Sequence, residues 1–208
     1  MTKVKIMPEL ELTRRERKKE ETKERILEAA FDLFRKHGVD ATTVEQICER
    51  ADVAKGTFFN YFPHKEAVFG YLSEKWVAEA EQKIGEILSK GTPAWTKLRD
   101  VFIGFASFYE EERGLSKHMV IEWTRHRHDP EDQVCRRWDN LGVHVVRQLQ
   151  KKGELRSDVP AERASRVMEE VYHGTIMEWL EHPEPPFSLK DEIKKRLNLV
   201  MEGLAPRE

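Results

Sequence analysis

Val53 to Phe62 read VAKGTFFNYF: a lysine, a Gly-Thr pair, then four aromatic rings in five positions around Asn60, with no acid. The whole 208-residue chain has a formal net charge of −2, so this stretch departs from its surroundings. An ordinary amphipathic helix would set leucines on one face and glutamates on the other. Here Phe58 and Phe62 sit at i and i+4, which predicts a buried pair holding this segment against the first helix, with Phe59 and Tyr61 towards the outer flanks. Lys55 falls at the start of the segment, where the helix macrodipole disfavours a cation unless a phosphate or a guanine edge approaches. Gly56 removes a side chain where another backbone could come close. The Thr57 hydroxyl and the free first-turn amides suit phosphate, and Asn60 can offer its amide to an adenine edge.

The flanking residues repeat a helical period. From about Arg14 to His37, Ile26, Ala29, Ala30, Leu33 and Phe34 follow one apolar face, and Gly38 predicts a left-handed stop. Thr42 with Glu45, and Thr43 with Gln46, both have capping-box spacing, so a short helix starts here whichever threonine is the cap. Ala51-Asp52-Val53 reads as the turn after it, and Pro63 ends the third helix. A long fourth helix is predicted from near Lys65 towards Leu88. Two short helices joined by a tight turn, behind a longer one, form the helix-turn-helix plan, whose second helix enters the DNA major groove.

Beyond Pro93 the pattern predicts a second, larger helical region and no strand. Leu98, Val101, Phe102, Phe105, Phe108 and Tyr109 share a face that Gly114 closes, and a shorter helix carries Met119, Val120 and Trp123. Val134, Trp138, Leu141, Val145 and Leu149 form the next stripe. Pro160 opens a helix through Val167 to Trp179, and a last helix carries Leu189 to Leu204. The fold class is all-α. No stretch approaches the roughly 20 apolar residues of a membrane span. The first twenty residues hold neither an apolar run nor a cleavage site, so they are not read as a signal peptide. Cys48 and Cys135 are then expected as free thiols in a reducing cytoplasm.

The stretch ILEAAFDLFRKHGVDATTVEQICERADVAKGTFFNYFPHKEAVFGYL resembles the DNA-binding domain of TetR-family transcriptional regulators, a likeness that covers roughly residues 23 to 72. Its apolar first helix, threonine pair, Gly-Thr-aromatic recognition helix and following lysine keep the family's order. The resemblance implies a flexible arm over 1–13, a helix-turn-helix domain over 14–66, and a ligand-binding and dimerisation domain over 67–208. It places Thr43, Lys55, Gly56, Thr57, Phe59, Asn60, Tyr61 and Lys65 at DNA-contacting positions. Two residues depart from the pattern. Ala54 stands where many members have a capping serine, and Phe59 where many have a tyrosine that reaches a phosphate. Tyr61 or Lys65 is then expected to carry more of the anchoring. The basic cluster Arg14, Arg15, Arg17, Lys18 and Lys19 reads either as a solvated face or as an arm tracking the DNA backbone or minor groove.

The resemblance further implies a cytoplasmic homodimer, most simply a repressor, on a palindromic double-stranded operator, released by a small effector. An aromatic lining of Phe102, Phe105, Tyr109, Met119, Trp123, Trp138 and Tyr172, with His144 and His173 as polar groups, would suit an apolar or aromatic compound. The alternative is a helical scaffold protein that uses the helix-turn-helix for packing. His118, His126, His128, Asp129 and Cys135 could in principle hold zinc or iron. With Arg125 and Arg127 beside them they read better as a solvated loop. No phosphate loop, nucleophile elbow or HExxH occurs, so neither a cofactor nor an enzyme activity is expected.

Overall fold

The computed structural model describes residues 13–90, 93–127, 129 and 131–206. The expected arm, apart from Thr13, lies outside the described residues, as does His128. Among the described residues all regular structure is helical, and none of the helices is long and apolar enough to cross a membrane. The chain divides into two compact units, one ending at Val68 and the other beginning at Phe69.

In the first unit, α1 spans Arg14–His37. The Thr13 hydroxyl accepts from the Glu16 N–H, and the Glu16 carboxylate accepts from the Thr13 N–H at 2.8 Å, which satisfies two orphan donors. Arg35, Lys36 and His37 oppose the macrodipole in the last turn. Gly38 stops the helix, but not in the left-handed helical conformation expected of it. Its φ of 84° and ψ of 157° fall in a region essentially closed to side-chain-bearing residues. α2 spans Val44–Ala51, with Thr43 as its cap: the Thr43 hydroxyl accepts from the Gln46 N–H. Thr42 is buried and donates to the Gly38 carbonyl at 2.8 Å, so the two threonines divide the work.

Asp52, at φ 52°, makes the left-handed turn from α2 to α3, which spans Lys55–Phe59. Phe62 still donates to the Phe58 carbonyl at 2.9 Å, so helical pairing outlasts the element by a turn. Ile26, Ala30, Phe34, Ile47, Phe58 and Phe62 are all buried, and the Phe58 and Phe62 rings lie 5.7 Å apart. Arg25 ties α1 to the end of α2 by donating to the Ala51 carbonyl at 3.1 Å. A single 3₁₀ turn at Lys65–Ala67 precedes α4, Val68–Ser89, where one unbroken helix from Lys65 was expected.

The second unit continues with α5 (Trp95–Glu111), α6 (Arg113–His126), α7 (Gln133–Lys151), α8 (Ala161–Glu181) and α9 (Leu189–Leu204). The break before α6 falls at Glu112, at φ −116° and ψ 44°; Gly114 lies inside the next helix instead of closing the last. α8 packs against both α7 and α9, and α5 against α9. A Cβ on Gly142 would come within 2.4 Å of the Ser165 Oγ, so glycine sets how closely α7 and α8 approach. α5 has no side-chain cap of its own. Glu154 supplies one from the α7–α8 connection, accepting from the Ala94 and Trp95 amides at 2.8 and 3.0 Å.

Two hydrophobic clusters fill this unit. One gathers Ile84, Leu98, Val145 and Leu149; the other gathers Ala106, Val120, Ile176, Trp179, Ile193 and Leu197. Both contribute to the walls of an internal space between them.

Candidate functional site

α3 is too short to hold itself together, and its side chains divide sharply by environment. Phe58 is fully buried, whereas Phe59 is 46% exposed, with the two rings edge-on at 5.5 Å. Lys55, Gly56, Phe59 and Asn60 are exposed, and Thr57 and Tyr61 are half-buried. Ala54 caps α3 with no side-chain hydrogen bond; its carbonyl accepts from the Thr57 N–H at 2.8 Å, but its methyl offers nothing to the amides of the first turn. Thr43 is exposed at the head of α2. The outward surface of the helix-turn-helix thus offers hydroxyl, amide and ring groups beside one lysine.

Two of the cations have occupations that the sequence did not announce. Lys55 pairs with Glu45 of α2, which raises the pKa of the ammonium and lowers that of the carboxyl. Lys65 turns inward: its Nζ donates to the carbonyls of Val39 at 2.7 Å, Thr42 at 2.8 Å and Asp40 at 3.3 Å. Its side chain is only 19% exposed. An ammonium has three protons to donate, so this one is spent bracing the α1–α2 turn.

In the second unit a cavity of about 150 Å³ opens where the two clusters meet. α5 gives it Phe102, Phe105 and Tyr109; α6 gives Met119 and Trp123; α7 gives Trp138; α8 gives Tyr172 and His173. These rings are assembled from four helices, and the Phe105–Trp138 and Phe102–Tyr172 pairs each stand 5.8 Å apart. His144 is the exception. Successive helical residues turn by about 100°, so the α7 face carrying Trp138, Leu141 and Val145 to the cavity leaves His144 exposed elsewhere.

Trp76 of α4 joins the lining although nothing in its local sequence marks it. It packs against Phe105, Phe108 and Tyr109, which lie some thirty residues away in sequence. Asp139, Ser165 and Glu169 add polar atoms on the α7–α8 side. Burial raises the Glu169 pKa, against the opposing pull of Arg127, whose Nη2 lies 3.1 Å away. Burial, seconded by Arg127, lowers the pKa of His173, so a neutral imidazole faces the cavity. Burial also raises the pKa of Tyr109 and Tyr172; the Tyr172 hydroxyl donates to the Phe102 carbonyl at 3.3 Å.

The histidines weighed as metal ligands are scattered. His118 stacks on Phe69, and His126 sits in the last turn of α6, with Nε2 3.4 Å from Glu122 and Nδ1 3.8 Å from Asp132. Among the described residues no three His, Cys, Asp or Glu side chains are grouped to hold a metal. Cys48 and Cys135 are buried free thiols.

Residues 26–72 match the family model for bacterial regulatory proteins of the tetR family. Residues 74–203 match the one for the C-terminal domain of TetR/AcrR family transcriptional repressors. The Thermus thermophilus FadR, a TetR family transcriptional repressor solved in complex with lauroyl-CoA, is 31% identical; the match covers 89% of this chain and 96% of that one, with a TM-score of 0.71. The repressor KstR2 of Rhodococcus jostii is 24% identical over 190 residues, 86% of this chain and 89% of its own. The regulator AcrR of Shigella flexneri is 25% identical over 198 residues, 88% of this chain and 89% of its own. With 26–72 and 74–203 both matched, this chain belongs to the TetR/AcrR family and is a ligand-responsive, DNA-binding transcriptional repressor.

Proposed function

We propose that this repressor holds a palindromic operator as a homodimer and releases it when an apolar effector occupies the aromatic cavity. A fatty acyl thioester is the first candidate. The observation that carries the reading is the cavity itself, whose ring-lined walls come from helices α4 to α8 of the unit that matches the repressor C-terminal domain. The similarity to a FadR that binds lauroyl-CoA supports the choice of ligand.

On the DNA side, Lys55, Gly56, Thr57, Phe59, Asn60 and Tyr61, with the Thr43 hydroxyl, form the contact surface. Lys65 belongs behind it as a brace and not on it as a phosphate anchor. Val167 of α8 and Leu199 of α9 are 41% and 66% exposed, and such apolar positions suit a two-fold contact between copies. Two recognition helices would then meet successive major grooves about 34–36 Å apart. A scaffold role is not favoured, because the family matches cover both units.

The test is selection from random duplexes, followed by titration of the selected duplex complex with lauroyl-CoA under fluorescence anisotropy. A palindromic winner released by the thioester is expected. Recovery of no preferred sequence sinks the operator reading; a complex indifferent to every apolar ligand sinks the effector reading.

A further inference from the structure

A second depression lies on the surface between α4 and α5, with a volume of about 420 Å³. Two of its wall residues, Trp76 and Phe105, also line the aromatic cavity. Their rings stand 5.9 Å apart, tilted at 38°, and belong to the walls of both spaces.

The two spaces differ in chemistry. Among the described residues lining the inner cavity there is no lysine or arginine, and its carboxylates, Asp139 and Glu169, come from α7 and α8. The outer groove carries Glu79, Lys83, Lys97 and Asp100, all exposed. Three of these are already neutralised: Glu79 and Lys83 pair with each other, and Asp100 lies 3.4 Å from Arg99. Lys97 has no carboxylate within ion-pair distance among the described residues. The groove therefore presents one uncompensated positive charge at the threshold of an apolar chamber.

We propose that this groove is the mouth of the cavity, gated by the Trp76–Phe105 ring pair, and that Lys97 holds the anionic head of an amphiphile whose apolar tail lies inside. The proposal rests on the reading of the cavity as the effector site, and it adds the entry path and the sign of the head group. The opposite end, where Asp139 stands beside a Glu169 already paired with Arg127 and Arg166, offers an anion no lysine or arginine of the lining. The head group's charge thus reports which end of the cavity the ligand enters.

Laurate, dodecanol and dodecyltrimethylammonium share a chain and differ in head charge. Below their micellar concentrations, isothermal titration calorimetry on the full protein should rank laurate first, by roughly fivefold over dodecanol, the scale of an exposed ion pair. Lys97→Gln should abolish that preference and leave dodecanol unchanged. Trp76→Ala should speed both association and dissociation of all three in stopped-flow measurements, with Trp76→Leu as the milder variant should the alanine protein fail to fold. Equal binding of laurate and dodecanol, insensitivity of laurate to Lys97→Gln, or rates unmoved by either Trp76 variant overturns the proposal. A preference for the cation also overturns it, by moving the head to the Asp139–Glu169 end. Binding of none of the three overturns the proposal; if lauroyl-CoA also fails to release the operator, the effector reading falls with it, an outcome distinct from binding without charge preference.

Discussion

The two units use aromatic rings in opposite ways. Around α3, Phe34, Phe58 and Phe62 are at most 3% exposed, so the short recognition element is held by what lies beneath it. In the second unit, Trp76, Phe102, Phe105, Tyr109, Trp138 and Tyr172 are each half-buried, and the open faces of their rings line the cavity. Dense packing serves a surface that must keep one shape against DNA. A ring-lined cavity forgoes part of the dispersion energy that full packing would supply, and leaves it for a guest to provide.

The largest effect should come from cutting into the dense unit. Phe58→Ala removes a fully buried ring and should cost about 3–5 kcal/mol in urea unfolding, taking operator binding with it. Phe102→Ala deletes a ring that already faces open space, and should cost only about 1–2 kcal/mol, in proportion to the smaller area lost. Equal costs for the two substitutions would mean that the cavity collapses in solution, and the contrast would vanish.

Lys65→Met sharpens the same contrast through polar groups. It removes the ammonium donor from three carbonyls of the α1–α2 turn, of which that of Val39 keeps the Thr42 N–H. Hydrogen bonds to a charged group carry about 1.5–3 kcal/mol, so a loss of about 2 kcal/mol is expected, with the salt slope of operator binding unchanged for the folded fraction. Lys55→Gln should do the reverse: little change in stability, and a slope smaller by about one. A flattened slope for Lys65→Met would return that lysine to the DNA.

Ala54→Ser is expected to gain stability. It would give α3 the cap that it lacks, worth about 0.5–2 kcal/mol in similar contexts, and should tighten operator binding if α3 is ordered by DNA. Unfolding curves that coincide with the wild type would show the first-turn amides to be satisfied by another route.

What could be read from sequence follows how far each interaction reaches along the chain. Thr43 with Gln46, and Phe58 with Phe62, are partners within four positions, so the residues announce the contact. The broad faces of α5 to α8 were legible too, because amphipathic period is local. Trp76 was not, since its partners Phe105, Phe108 and Tyr109 are brought to it only by the fold. The inward turn of Lys65 was hidden too, because nothing in a sequence shows a lysine bending back onto carbonyls more than twenty positions earlier. His144 and His173 were indistinguishable as residue types; the helix face each occupies, set by its neighbours' burial, separates them.

The smallest expected effect concerns His173, and its sign follows from linkage. Its pKa in the folded protein lies below the ordinary 6.5, because burial and the Arg127 charge disfavour the imidazolium. It therefore contributes stability that is present above about pH 6.5 and lost as pH falls through the folded value. Glu169, on the same wall, works the other way: its raised pKa gives a contribution present below 4.5 and lost as pH rises through its folded value. The two windows face each other between those limits, so wild-type stability alone does not separate them. His173→Gln removes one side. In urea unfolding at a series of pH values from 7 down to 5, the variant should lose less stability on acidification than the wild type. Parallel curves would mean that the imidazole is as well solvated in the folded protein as in the unfolded chain, and that burial at the cavity wall does not act on it.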